Sequence, residues 1–570
     1  MALRRRDSEL KHLGVSHLEY KRVEMDRVLT GFLMRVNHNG LPSKMVQRKE
    51  LSVDAFVKEF TKEQHAEKFP GFAEHSDITR RWIETQLLDM VNRGRSSQAV
   101  AGLRPLHGLT YKFRNYYHSR AYGADAQLYQ MLRHARGGQG QAALEQLRRF
   151  FFTGLGSSAP RGGPHGESAD TRIDVETQAV LHLNSQVTQD APQQVRGWYD
   201  APPLCVGQAD LLADDVLRLM SLKDLLPRVT LVEYLKILFA LHLALGQLKA
   251  MKLLPHAVAR GGADPACGPD TCPATGAAAD PLAGCPFRAG LFVDAAGIPG
   301  TAAAALAEQS VAVWHRRIPD FVRAGYVVRR LDDFADHLVS RGEATRPSRG
   351  RATVGELLRF GSDAYQERRE RYFEARLDSI LVETPREEQP EAVRPLLEAS
   401  MGLGAFDQYI ELLMAYRGRY HHKYLIETID SLLLKNRPGA LIAQPHRGRR
   451  RFVLDSALLE VLVQVALLRP NPRGTRSRFT HHTVSLRLDE FTDLLRRRYG
   501  LHIDRLPAAD GFAVPGPEEE AALRANTAAF TTKLREIGFY DDLSDAYFTQ
   551  VITPRFVIAR DGTVTAGSGK

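Results

Sequence analysis

One long, mainly apolar stretch, residues 231–254, limits what this chain of 570 residues can fold into. It contains no proline and one glycine, and its apolar side chains cover nearly the whole circumference of a helix. Because a helix that is apolar on all sides must be buried, the stretch predicts a central core helix about 35 Å long. Thr230 and Glu233 have the spacing of a capping box at its start, and Pro255 predicts its end.

A membrane-spanning helix is the alternative interpretation of the same stretch. Polar side chains interrupt it at several positions, and charged groups are costly inside a bilayer. These positions include Glu233, Lys236, His242, Gln247 and Lys249. The first residues, Met-Ala-Leu-Arg-Arg-Arg, also lack the apolar run of a signal peptide. We therefore expect a cytoplasmic protein that does not contact a membrane.

A cysteine cluster follows the predicted core helix. Cys267, Cys272 and Cys285 lie in a segment rich in Gly, Pro and Ala, and Cys205 is the fourth cysteine of the chain. Thiolates at short spacing in an intracellular protein are typical of a metal site, most often a zinc site. We therefore predict a structural zinc at Cys205, Cys267, Cys272 and Cys285, with His256 as the alternative fourth ligand. An iron–sulfur centre and plain free thiols are the other interpretations.

The basic charge of the chain is concentrated in one region. The net charge is +10 with a pI near 9.3, and residues 435–505 contain fifteen Lys and Arg against six Asp and Glu, a surplus of nine. A charge that served only solubility would be spread over the whole chain. This localised surplus indicates an anionic partner, and nucleic acid is the commonest one.

The C-terminal third has the element order of a winged helix. Helices are predicted at 456–468, 488–499 and 518–537, followed by β-prone runs at 547–553 and 555–559. The third helix would be the recognition helix in a DNA major groove, and the arginine cluster before the first helix would hold phosphates. The predicted contact residues are Arg447, Arg449, Arg450, Arg451, Asn526, Thr531, Thr532, Lys533 and Arg535. A winged helix used for protein contact is the alternative.

Further helices are predicted in the N-terminal part of the chain, at 53–60, 78–91 and 124–152. The predicted fold is therefore mainly α and multi-domain, with a C-terminal winged-helix-like module that ends in a small β-hairpin. The predicted units are an N-terminal helical domain (1–153), a linker (154–170), a central domain (171–339), a second linker (340–352), a helical segment (353–440) and the basic C-terminal domain (441–570). Gly-, Ser-, Pro- and Arg-rich composition marks the linkers.

One segment resembles a known group of proteins. The run Lys435-Asn-Arg-Pro-Gly-Ala440, the cluster Gly448-Arg-Arg-Arg-Phe452 and the apolar Leu458-Leu-Glu-Val-Leu462 are similar to sequence in accessory proteins of bacterial antiphage systems. The resemblance is to a subunit of the methylation-associated defence system. It implies partners among the other subunits of such a system, and it brings no catalytic motif with it.

Three functional hypotheses follow. The favoured one is a non-catalytic subunit that binds duplex DNA or serves as a scaffold in a larger bacterial complex. The second is a nuclease or other nucleic-acid-processing enzyme. No nucleophile elbow, H-E-x-x-H motif or dinucleotide fingerprint occurs in the sequence, so the catalytic carboxylates of such an enzyme would converge only in the folded chain. The third is a protein–protein adaptor without affinity for DNA.

Overall fold

The computed structural model is mainly helical, with small two-stranded sheets. It describes residues 8–43, 51–154, 173–185, 187, 190–193, 200, 202–264, 267–268, 270–275, 278, 280–345, 352–383, 402–472, 477–540 and 551–566. The helices are α1 (Met25–Asn37), α2 (Val53–Phe60), α3 (Ser76–Trp82), α4 (Ala124–Arg133), α5 (Gln139–Phe151), α6 (Val175–Asn184), α7 (Val206–Met220), α8 (Arg228–Arg260), α9 (Ala302–Arg316), α10 (Ile318–Ser340), α11 (Val354–Leu358), α12 (Gln366–Glu383), α13 (Ala405–Leu432), α14 (Ser456–Ala466), α15 (Leu488–Tyr499) and α16 (Pro517–Glu536).

The strands pair mostly as short antiparallel ladders. They are β1 (Leu88–Val91), β2 (Ala99–Leu103), β3 (Leu291–Phe292), β4 (Ile442–Ala443), β5 (Arg451–Phe452), β6 (Leu468–Pro470), β7 (His481–Thr483), β8 (Leu486–Arg487), β9 (Leu501–His502), β10 (Val551–Ile552), β11 (Phe556–Ile558) and β12 (Val564–Ala566). The antiparallel pairs are β1–β2, β4–β5, β6–β7, β8–β10 and β11–β12. Strands β3 and β9 pair in parallel, which joins the middle of the chain to its C-terminal third.

Helix α8 runs through the main hydrophobic core, as its apolar circumference predicts. It packs against α7, α10, α13 and α14. It is long and apolar enough to cross a membrane, but 78% of its most apolar window is buried inside the protein. Two of its polar residues have ionic partners there: Lys236 Nζ lies 2.7 Å from Asp26 Oδ1, and His242 Nε2 lies 2.9 Å from Asp215 Oδ2. These pairs explain how a core helix accommodates charged side chains.

Both predicted ends of this helix are wrong. The helix begins at Arg228, and Glu233 pairs with Arg104 at 2.7 Å instead of forming a capping box. Pro255 lies inside the helix, which ends only before Gly261, a residue with φ of +72°. A proline removes one backbone donor, and burial of the residues around it outweighs that loss here. Glycine readily adopts positive φ and therefore terminates the helix.

The other predicted helices are partly confirmed. Residues 53–60 form α2 as predicted, but 78–91 divides into α3, a π-helical turn and strand β1. Residues 124–152 divide into α4 and α5 at Gly137 and Gly138, which both have positive φ. One hydrophobic core contains residues from Leu10 to Ile558 and crosses the predicted domain boundaries, which stay predictions. Residues 155–172 and 346–351, in the predicted linkers, lie outside the described residues.

The C-terminal third contains the predicted elements, but a winged-helix module is not confirmed. Helices α14, α15 and α16 are close to their predicted bounds. The strands found in the two β-prone runs do not pair with each other: β10 pairs with β8, and β11 forms a hairpin with β12. Residues 547–550 of the first run lie outside the described residues. In addition, β9 pairs with β3, and α16 packs on α9 of the central region. The third helix therefore lies against the body of the protein, whereas a recognition helix projects from it.

A buried ionic network holds α15 against α7 and α8. Arg498 Nε donates to Asp215 Oδ1 at 2.8 Å, and a terminal nitrogen of Arg498 also pairs with Asp214. Asp215 Oδ2 accepts from Tyr499 Oη at 2.8 Å and faces His242 Nε2. Burial alone would raise the pKa of Asp215, but the Arg498 charge and the His242 hydrogen bond lower it to about 2. All of these side chains are buried, so each charge depends on its partners.

Loss of one partner from this network should destabilise the protein strongly. We expect Arg498→Ala to lower the free energy of unfolding by about 3–5 kcal/mol, because it leaves the Asp215 carboxylate buried without a guanidinium, whereas Asp214 keeps its ion pair with Arg218. Arg497→Ala is the matched control, since the Arg497 side chain is 46% exposed and pairs with Asp493, and it should cost less than about 1 kcal/mol. Denaturant unfolding followed by circular dichroism measures both, and equal effects would contradict the assigned role.

Candidate cysteine centre and nucleic-acid interface

The four cysteines meet at one pocket, although Cys205 is 62 residues before Cys267 in the sequence. Cys205, Cys267, Cys272 and Cys285 all line this pocket, together with Lys249 of α8. His256, the alternative fourth ligand, does not line it; its Nε2 lies 3.0 Å from Asp264 Oδ2. The fold therefore groups the four residues that the zinc prediction names and places His256 elsewhere.

Local structure fixes each side of the cysteine pocket. Cys205 is the residue directly before α7. Gly207 lies against the loop so closely that a Cβ there would be 3.1 Å from Cys272 Sγ and 2.5 Å from Ala274 Cβ. Arg136 holds the same loop by donating to the Cys272 and Ala274 carbonyls at 2.9 and 2.6 Å.

Four cysteine thiolates are a ligand set that zinc accepts. Their sulfur atoms, however, lie farther apart than they would around a bound ion. Tetrahedral zinc with Zn–S bonds of about 2.3 Å needs sulfur atoms about 3.8 Å apart. In the described part of the chain, no three of these sulfurs lie within 4.8 Å of one another, so the thiolates would move inward around an ion. Burial raises the pKa of Cys205, and burial together with the other three thiols raises the pKa of Cys267 to about 12.

Lys249 supplies the positive charge that a thiolate centre needs nearby. It is 1% exposed, and its ammonium group has no hydrogen-bond partner among the described residues. A buried ammonium without a partner is costly. Four thiolates around Zn²⁺ carry a net charge of −2, so an occupied centre would offset this charge.

Of the four arginines in the predicted cluster, two are exposed and two form ion pairs within the protein. It lies in the loop between β4 and β5, where Arg447 and Arg449 are exposed. Arg450 Nε pairs with Asp430 at 3.0 Å. Arg451 is 4% exposed, and it pairs with Asp294 at 3.3 Å and donates to the Gly297 carbonyl. Only the first two are therefore free to meet a phosphate.

Of the five predicted DNA-contacting residues on α16, three are buried or hydrogen-bonded to the protein backbone and two are exposed. Asn526 is 1% exposed; its Nδ2 donates to the Val293 and Ile503 carbonyls, and its Oδ1 accepts from the Ala295 amide. In this structure Asn526 holds α16 to the β3–β9 edge and has no free group for a base. Thr531 is buried and Lys533 donates to the Leu454 carbonyl. Thr532 and Arg535 are exposed.

Sequence reasoning missed a basic and aromatic face on α13. Arg419, Tyr420 and Lys423 are exposed on this helix, and Lys21 Nζ lies 4.2 Å from the ring centre of Tyr424. Arg417 lies over the Tyr420 ring at 5.5 Å. The available signal was the alternation of cations with tyrosines in residues 416–424, the pattern of surfaces that hold nucleic acid.

Comparison with known families agrees with the resemblance found in the sequence. The model of the family Methylation-associated defense system protein MAD7 matches residues 5–556, nearly the whole chain. The chain belongs to this family. Membership in the MAD7 family makes it a component of an antiviral defence system that works with other subunits. No curated protein matches the chain.

The zinc hypothesis gives a direct prediction for this MAD7-family protein. Purified protein should contain about one zinc per chain at the cysteine pocket, and Cys272→Ser should lower the zinc content and the thermal stability together, because binding free energy in a structural site is folding free energy. His256→Ala is the control and should keep its zinc. Elemental analysis of each variant measures the content. Wild-type protein without zinc or iron would contradict the hypothesis.

Proposed function

We propose that this chain is a non-catalytic, duplex-DNA-binding subunit of the methylation-associated defence system. The observation that carries the proposal is a set of exposed cations without counterions on two adjoining elements, the β4–β5 loop and α13. Among the described residues, no ion-pair partner is found for Arg419, Lys423, Arg447 or Arg449. Exposed cations that lack carboxylate partners favour an external polyanion.

The β4–β5 loop supports this role because it is held rigidly. The Asn436 side chain anchors the start of the loop with two hydrogen bonds. Its Oδ1 accepts from the Gln444 amide and its Nδ2 donates to the Gln444 carbonyl, both at 2.9 Å. The Asp430 carboxylate binds both Lys435 and Arg450 at the base of the loop. A preformed loop loses little entropy when its arginines meet phosphates.

The α13 face adjoins this loop and extends the surface. Lys423 and Asp430 are seven residues apart on α13, which places them on the same side of the helix about 10 Å apart. Because Asp430 binds Arg450 of the loop, the exposed cations of α13 lie beside those of the loop. Two cation groups along one surface match the extended backbone of a nucleic acid.

The surface favours backbone contact over base reading. Two of the predicted base-contacting residues, Asn526 and Lys533, are engaged inside the protein. Phosphate contacts position a protein without reading sequence. We therefore assign sequence or methylation recognition to partner subunits, and to this chain the tethering of duplex DNA within the complex. A structural zinc at the four cysteines would stabilise the centre of this subunit without entering the DNA surface.

Loss of the loop arginines should weaken DNA binding in a salt-dependent way. The double variant Arg447→Ala/Arg449→Ala should reduce the slope of log K against log salt by about 2 on duplex DNA, since each phosphate contact contributes about 0.9. Arg371→Ala/Arg524→Ala is the charge-matched control, because both arginines are exposed and pair with glutamates, and its slope should not change. A flat salt titration of the wild type would contradict the DNA role and favour the adaptor hypothesis.

The α13 face should contribute separately. Arg419→Ala/Lys423→Ala should lower the slope by about 2, and all four substitutions together by about 4. An unchanged slope in the α13 variant would limit the interface to the loop. The same incubations with Mg²⁺ test the enzyme alternative. If all of these variants still cleave the DNA, the assignment as a non-catalytic subunit is wrong.

A further inference from the structure

Two side chains that are six residues apart, Glu59 and His65, meet one from a distant part of the sequence, His182. Glu59 lies on α2, His65 on the 3₁₀ turn Glu63–His65, and His182 on α6. Glu59 Oε1 is 3.2 Å from His65 Nε2 and 3.1 Å from His182 Nε2. The two imidazole rings are 4.4 Å apart between their centres. All three ligand atoms lie within 4.8 Å of one another.

We propose that Glu59, His65 and His182 bind a divalent transition-metal ion of the zinc class. Two imidazole nitrogens and one carboxylate oxygen form the donor set of sites that keep one or more positions open for water or another ligand. A tetrahedron with bonds of about 2 Å has edges of about 3.3 Å. The two measured nitrogen–oxygen distances are close to this edge, so the ligands need only small movements to close around an ion.

The surroundings distinguish this group from an ordinary surface cluster. The side chains of Glu59, His65 and His182 are only 13%, 13% and 5% exposed. Phe69 and Phe60 cover His182, with ring centres at 5.4 and 5.9 Å. A shielded apolar wall strengthens the attraction between an ion and its ligands and limits competition from water.

The position of the site gives the ion a structural consequence. Glu59 and His182 are 123 residues apart, and the second hydrophobic core contains residues of α2, β1, β2 and α6. An ion would join α6 to α2 and to the following turn at one point. The Glu59 group is built on this second core, whereas the cysteine pocket lies beside α8 of the main core, so the two sites would bind metal independently.

Metal counting with cobalt and zinc separates the two sites. Wild-type full-length protein, stripped with chelator and titrated with Co²⁺ alone, should bind one more equivalent than His182→Ala. In His182→Ala, the affinity for this additional Co²⁺ should be at least about 100-fold lower, since even loss of a residue that only supports a ligand lowers metal affinity about 10–100-fold. Absorption from thiolate–cobalt bonds reports the cysteine pocket separately and should be the same in both proteins. His75→Ala, an exposed histidine of the same region, is the control and should bind as the wild type does.

A second variant keeps the test valid if His182→Ala misfolds. Glu59→Gln retains an oxygen that accepts hydrogen bonds from both imidazoles but is a much poorer metal ligand, so it should keep the fold and lose the same equivalent of Co²⁺ and Zn²⁺. If Glu59→Gln binds as many ions as the wild type with equal affinity, the cluster is a hydrogen-bonded group and the proposal is wrong. Circular dichroism of each protein confirms the fold.

Discussion

The contact of Asp214 and Asp215 with Arg498 is the interaction on which the arrangement of this protein depends. It joins adjacent carboxylates on α7 to the end of α15, and His242 of α8 completes the group. Buried charges are tolerated only when their geometry and hydrogen bonds are nearly complete, so this group permits one alignment of the three helices. The apolar surfaces around it tolerate small shifts, whereas the ionic group does not. It thus fixes where the C-terminal third lies on the core.

Sequence alone predicted the elements whose signals are local. The apolar circumference of α8 and the bounds of α2 and α15 follow from the periodicity of apolar residues and from the residues that end each helix. The predicted end at Pro255 was wrong because tertiary burial outweighed a local break. The winged-helix arrangement is not confirmed because the pairing of β3 with β9 joins residues more than 200 positions apart. No periodicity in a single sequence carries that information.

The number of charged residues in the sequence likewise does not show which of them are exposed in the folded protein. The surplus of nine between residues 435 and 505 is real, but burial and pairing occupy much of it: Arg451 and Arg498 are buried and Arg450 is paired. Formal charge records which residues are present, while the fold decides which of them face solvent. Conversely, the fold places all four cysteines at one pocket, although Cys205 lies 62 residues before the first of the other three, which share a Gly- and Pro-rich segment.

The pairing of β9 with β3 also determines how the chain can be divided. A fragment that began at residue 441 would contain every basic residue of the C-terminal third but would lose the partner strand of β9. It would also lose Asp214 and Asp215, the counterions of Arg498, and the carbonyl of Val293 that Asn526 binds. Such a fragment would expose an open strand edge, a frequent starting point for aggregation. A fragment meant for biochemical work on this region therefore has to include α7 and β3.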